Sequence, residues 1–222
     1  SGDNINLKSY LFENSKAIRE DTMVRKLDGD IYDKEGIILE QIKASAAGQL
    51  PRGFDPASLY PARQHPKALQ MTVFGMGDAL GQLGINWKTV MDKISPDEVA
   101  VFSGAAIGQL DSYGFGGLMQ SRMKGSRASS KNLALGLVEM SADFINAYIL
   151  GSVGRTGHSV GACATFLYNL QMGKEAIESG SAKVVVVGGA EAPITPEIVD
   201  GFFAMSALSD DKRMIELQAQ NN

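Results

Sequence analysis

The chain has 222 residues, a formal net charge of −4, 44% hydrophobic residues and one cysteine. That is enough apolar material for a real core in one large domain or two small ones. The acidic balance argues against a general nucleic-acid binder, and the lone cysteine excludes an intramolecular disulfide framework.

No uninterrupted apolar stretch approaches the ~18 residues that suggest a membrane span. The start, Ser1-Gly2-Asp3-Asn4, lacks a basic-then-apolar signal pattern. A cytoplasmic globular protein without a metal centre is expected. Residues 1–45 are charged, poor in glycine and rich in helix formers, notably over 10–20, with Asp28-Gly29-Asp30 as a turn. They read as a mainly helical extension to a domain over 46–222. Pro51, Pro56, Pro61 and Pro66 then mark an ordered connection, because aromatic and apolar residues are interleaved with them.

From Ala68 the pattern alternates between α and β. Met71, Phe74, Ala79, Leu80 and Leu83 predict a helix stopped near Gly84. Residues 99–102 predict a buried strand ending at Ser103-Gly104, 111–132 a long polar and glycine-rich connection, and 141–150 a helix. A short strand then leads into Cys163, a helix runs to about Gly180, and 183–187 read as a fully buried strand. Strand, helix and strand in that order make a parallel βαβ unit.

Three motifs compete for the chemistry. Gly75-Met76-Gly77-Asp78-Ala79-Leu80-Gly81 imitates a dinucleotide fingerprint, but its spacing is off by one and no strand precedes it. It reads as a helix packed closely on a neighbour. Gly157-His158-Ser159-Val160-Gly161 matches the G-x-S-x-G elbow of serine hydrolases and acyltransferases. Such an enzyme needs a later histidine as base, and the only histidines are His65 and His158.

Cys163 lies nearer the helix start than Ser159. A free cysteine is often an inert buried hydrophobe. Here Ala162 and Ala164 leave space around the sulfur, Thr165 can order the first turn, and Phe166, Leu167 and Leu170 make the helix apolar. The expectation is a thiol at the first turn of a buried helix. The positive end of the helix dipole and unpaired N–H groups there favour a thiolate nucleophile.

Three blocks carry a family resemblance: Val160-Gly161-Ala162-Cys163-Ala164-Thr165; Gly188-Gly189-Ala190-Glu191 with the strand before it; and Phe202-Phe203-Ala204-Met205-Ser206-Ala207-Leu208-Ser209. With Phe102-Ser103-Gly104-Ala105-Ala106-Ile107-Gly108 and Gly114-Phe115-Gly116-Gly117 they occur in the order seen in β-ketoacyl-[acyl-carrier-protein] synthases. The chain resembles that family over about 65–210, and its leader and proline segment are similar to a gammaproteobacterial, chain-initiating branch.

The resemblance implies an α/β thiolase-like fold of two similar halves layered α-β-α-β-α. It implies that Cys163 accepts an acyl group, with its backbone N–H in the oxyanion hole, and that Ile107 and Phe202 line the acyl pocket. Arg122, Lys124 and Arg127 would dock acyl carrier protein. No bound cofactor is implied; the phosphopantetheine arm of the carrier protein, or coenzyme A, brings the acyl group, and malonyl-carrier protein is the second substrate. A homodimer is expected.

Two departures stand out. The family's first strand is not visible, and the C-terminal half with its two histidines is missing, so a fragment that completes no condensation alone is expected. His158 reads as local structure. A non-catalytic partner subunit on the same fold is the other alternative, disfavoured by the presence of the cysteine.

Overall fold

The computed structural model describes residues 23–26, 31–32, 38–40, 46–50, 54–56, 62–192 and 194–220. The described residues of Asp55–Pro193 form one compact unit, and those of Ile18–Phe54 with Ile194–Asn222 form a second.

Strands β1 (Met23–Lys26), β2 (Ile31–Tyr32), β3 (Ile38–Glu40) and β4 (Ala46–Gln49) belong to the second unit. β1 pairs antiparallel with β4, from Met23 opposite Gln49 to Lys26 opposite Ala46, and β2 pairs antiparallel with β3. These strands correct the mainly helical expectation for 1–45 wherever it can be compared. Val24, Ile31, Tyr32 and Ile38 are β-branched or aromatic and prefer extended backbone. The helix-forming stretch 10–20 lies outside the described residues.

In the first unit, α1 (Lys67–Gln82) follows Pro66 and stops just before Gly84, as its periodicity predicts. Leu69, Val73, Met76 and Leu80 form its buried stripe. A Cβ at Gly75 would meet nothing within 4 Å, so close packing does not explain that glycine. A short α2 (Trp87–Met91) leads to the central strand β5 (Val99–Gly104). Next come α3 (Phe115–Gln120) and α4 (Ser130–Gly136), so the segment 111–132 is not the plain connection expected. Helix α5 (Met140–Phe144) continues as a π-helical turn, Ile145–Leu150.

Strand β6 (Thr156–Gly157) precedes α6 (Thr165–Glu178), and β7 (Val184–Gly189) follows it. The three strands form a parallel sheet in the order β6-β5-β7. β5 is buried along its whole length, and its alternating side chains divide the core. Val99 and Val101 pack with Leu69, Val73, Ile145 and Ile149 on one face. Ala100 and Phe102 pack with Ala176 and Ala182 on the other. Helices thus cover both faces of the central strand. β7 is only half-buried, which corrects the fully buried reading of 183–187.

In the second unit, Pro196 opens α7 (Pro196–Ala204), and α8 (Asp211–Gln220) follows. Among the described residues no single helix is long and apolar enough to cross a membrane.

Candidate active site

The three parallel strands end at one edge of the sheet, the edge where open α/β folds place ligands. β5 leads to Ile107, β6 to Cys163 and β7 to Glu191. Between β6 and α6 the chain passes through 158–161 and then makes a 3-10 turn, Ala162–Ala164, with Cys163 at its centre. Cys163 is free and exposed.

Its helix is exposed as well. Phe166 and Leu167 keep 51% and 63% of their surface accessible, while Thr165, Asn169, Gly173 and Ala176 form the buried stripe. The buried-helix expectation is therefore corrected. A Cβ at Gly173 would lie 2.9 Å from Val187 Cγ2 and 3.0 Å from Val185 Cγ1. The small stripe lets α6 lie close on the sheet and turns its large apolar side chains outward.

The cysteine turn is strained and tied down. Ala162 has φ +48, a left-handed conformation that costs a residue with a Cβ about 1–2 kcal/mol. Such geometry persists where neighbours over-determine it. The Thr165 hydroxyl accepts from Gly161 N at 3.0 Å and donates to Ala162 O at 2.7 Å, spanning the strained residue. Ala164 N donates to Gly161 O at 2.9 Å.

A second set of bonds holds the chain just upstream. Ser159 N donates to Asn169 Oδ1 at 2.9 Å, Asn169 Nδ2 contacts His158 Nδ1 at 3.2 Å, and His158 Nε2 contacts Ala105 O at 3.0 Å. Both ring nitrogens of His158 are therefore engaged away from the Ser159 hydroxyl, and the serine-elbow alternative has no base in its adjoining histidine. His65 meets the Phe144 ring edge-on at 5.3 Å, and burial pushes its imidazole below the usual histidine range. It is a half-buried side chain packed on Phe144.

Ile107 is half-buried, and its N–H donates to Glu191 Oε1 at 3.2 Å; the same oxygen takes the N–H of Ala106. Phe202 is half-buried on α7 and belongs to the other unit. Arg122, Lys124 and Arg127 are all exposed, on the turn after α3 and the loop beyond it. The sequence reading missed Asn169 and the role of Glu191. A signal for Asn169 existed: it is a lone polar residue in an apolar run, four positions after Thr165 and four before Gly173, on one helical face.

Residues 5–220 match the family described as beta-ketoacyl synthase, N-terminal domain. The chain is 57% identical over 177 residues to the beta-ketoacyl-[acyl-carrier-protein] synthase FabY of Pseudomonas aeruginosa, covering 79% of this chain and 28% of that protein. It is 30% identical over 150 residues to 3-oxoacyl-[acyl-carrier-protein] synthase 2 of Staphylococcus aureus, covering 67% of this chain and 36% of the relative. The crystal structure of the P. aeruginosa FabY ketosynthase superposes with a TM-score of 0.74 at 57% identity, over 78% of this chain and 28% of that one. The ishigamide ketosynthase/chain length factor superposes with a TM-score of 0.62 over 92% of this chain and 47% of that one. At 19% identity it shows the fold alone. The fold is thiolase-like, α/β, and corresponds to the N-terminal portion of the condensing enzymes it matches. The chain spans about a third or less of the length of these curated relatives.

Proposed function

The chain belongs to the beta-ketoacyl synthase family, and on that premise we propose that Cys163 is the acyl acceptor of a decarboxylative condensation carried out by the full-length enzyme. The Cys163 sulfur attacks the carbonyl of an acyl thioester on carrier protein or coenzyme A. The phosphopantetheine thiol leaves and the acyl group stays on sulfur. A malonyl-carrier protein then loses carbon dioxide. Its α-carbanion attacks the acyl carbonyl, and the Cys163 thiolate leaves as the β-ketoacyl product forms.

The observation that carries this reading is the exposed thiol on a braced, left-handed turn at the carboxyl edge of the sheet. Cys163 also precedes the first turn of α6, where backbone N–H groups lack intrahelical acceptors. Its own N–H is the proposed first donor of the oxyanion hole, a class of interaction worth about 3–4 kcal/mol in the transition state. Ile107, on the turn after β5, is proposed to line the acyl pocket. The test is acyl loading: the intact enzyme incubated with an acyl thioester should gain the acyl mass on the peptide holding Cys163. Loading on Ser159 instead would overturn the assignment.

The apolar face formed by Val160, Phe166, Leu167 and Leu170 adjoins the cysteine and is exposed. Contiguous apolar surface of this kind marks an interaction site. It supports a homodimer, with this face covered by a second copy and by parts of the enzyme outside this chain.

Arg122, Lys124 and Arg127 form a basic cluster on an acidic chain and are proposed to receive the acidic carrier protein. Opposite charge there raises the association rate and selects the partner. Reversing Arg122 and Lys124 to Glu should raise KM for carrier-protein substrates roughly tenfold and leave coenzyme A thioesters unchanged. Steady-state kinetics with both carriers checks this, and an equal rise for both refutes docking at the cluster.

A further inference from the structure

The turn after β5 presents three consecutive backbone groups, and side chains that follow the two flanking strands take up all three. His158, after β6, contacts Ala105 O at 3.0 Å. Glu191, after β7, accepts from Ala106 N and Ile107 N. This turn is thus a braced anchor at the sheet edge. A Cβ at Gly104 would sit 2.4 Å from His158 Cγ and Nδ1, so the glycine that ends β5 makes the room this ring occupies.

The hydrogen-bond directions follow from chemistry. A carbonyl only accepts, so His158 Nε2 carries the proton toward Ala105 O, and Nδ1 is left to accept from Asn169 Nδ2. That orientation aims Asn169 Oδ1 at the Ser159 N–H, 2.9 Å away. Asn169 is 0% exposed, so each of its polar atoms depends on these partners. Beyond Ser159 and Val160, the Gly161 amide is held by Thr165 on the same helical stripe.

We propose that His158 is a positioning residue for Cys163 through one of its two links: its Nδ1 orients Asn169, which fixes the segment entering the cysteine turn, while the Nε2 bond to Ala105 O only seats the ring. The inference rests on the assignment of Cys163 as acyl acceptor and adds the element that sets where the thiol stands. A thiol displaced by about 1 Å loses on the order of a hundredfold in rate while substrate binding persists.

Two conservative variants in the intact enzyme separate the two links. His158→Asn places an amide oxygen near the Nδ1 position and keeps the acceptor for Asn169. His158→Gln reaches the Nε2 position, keeps the donor to Ala105 O and removes the acceptor. Each deletes one hydrogen bond, so a purely structural role would lower activity equally in both. The expected result is that His158→Asn retains kcat for condensation and the iodoacetamide alkylation rate of Cys163 within about threefold. His158→Gln and Asn169→Leu should lower both roughly 10- to 100-fold, with KM for malonyl-carrier protein unchanged. Equal losses in the two His158 variants, or parent-like rates in both, overturn the proposal. If the parent enzyme does not load acyl groups on Cys163, the assignment of the nucleophile has failed. If it loads and the variants behave alike, only the positioning role has failed.

Discussion

Replacing Cys163 with serine in the intact enzyme is expected to lower condensation by at least about a thousandfold, the equivalent of ~4 kcal/mol in the barrier. The substitution changes one atom on an exposed turn and should leave the fold alone. A hydroxyl attacks a thioester only with a base to take its proton. The nearest histidine in sequence, His158, spends both ring nitrogens on Ala105 O and Asn169. The introduced hydroxyl would therefore stand on the same strained turn without activation by His158. The measurement is twofold: covalent acyl mass on the peptide spanning position 163 after incubation with an acyl thioester, and turnover with malonyl-carrier protein. Loading should vanish, and Ser159→Ala, run beside it, should stay within about threefold of the parent enzyme. Turnover above a tenth of the parental rate in Cys163→Ser would mean that another group carries the acyl chain.

The placement of that cysteine was legible because local rules sufficed for it. A short strand, small residues and a helix start bracket Cys163 in the chain, and the structure has β6, the 3-10 turn and α6 there. Thr165 orders the turn as its position implied. The apolar run at β5 and the existence and end of α1 were equally readable, but the buried stripe of α1 was not. Of Met71, Phe74, Ala79, Leu80 and Leu83 only Leu80 is buried, and Leu69, Val73 and Met76 fill the core instead.

Burial around α6 was not legible. Its large apolar residues, Phe166, Leu167 and Leu170, read as the inward face, yet the sheet takes Thr165, Asn169, Gly173 and Ala176. Apolar character says that a face will be covered somewhere; small size decides which face can approach a sheet closely. The strands β1 to β3 were missed for other reasons: β1 finds its partner only at β4, and β2 and β3, which pair with each other, are too short for an alternating pattern to show. The His158–Asn169 link joins residues eleven apart on different elements, and no single-sequence periodicity encodes it.

Phe102→Ala should destabilise the enzyme by about 3–5 kcal/mol, the largest stability effect expected from one side chain here. Phe102 is 0% exposed on the face of β5 that meets α6. Its ring fills space left by small residues: Ala100, Ala176 and Ala182 share its cluster, and a Cβ at Gly157 would lie 3.4 Å from its Cδ1. Arg155 places its guanidinium carbon 5.5 Å from the ring centroid. Alanines and glycines have no side chain to swing into a void, which leaves Met172 and Arg155 as the flexible neighbours described around the ring. The cavity should therefore stay largely open, toward the costly end of the range. Phe102→Leu, which keeps most of the volume, should cost less than about 1.5 kcal/mol. Urea titration of the intact enzyme checks both: the midpoint should fall and the slope should hold. The void lies between β5 and α6, the helix whose Thr165 and Asn169 hold the cysteine turn. Acyl loading in Phe102→Ala should accordingly drop at urea concentrations where the rest of the fold survives. Coincident loss of loading and fold would show that α6 is held in place by something other than this ring.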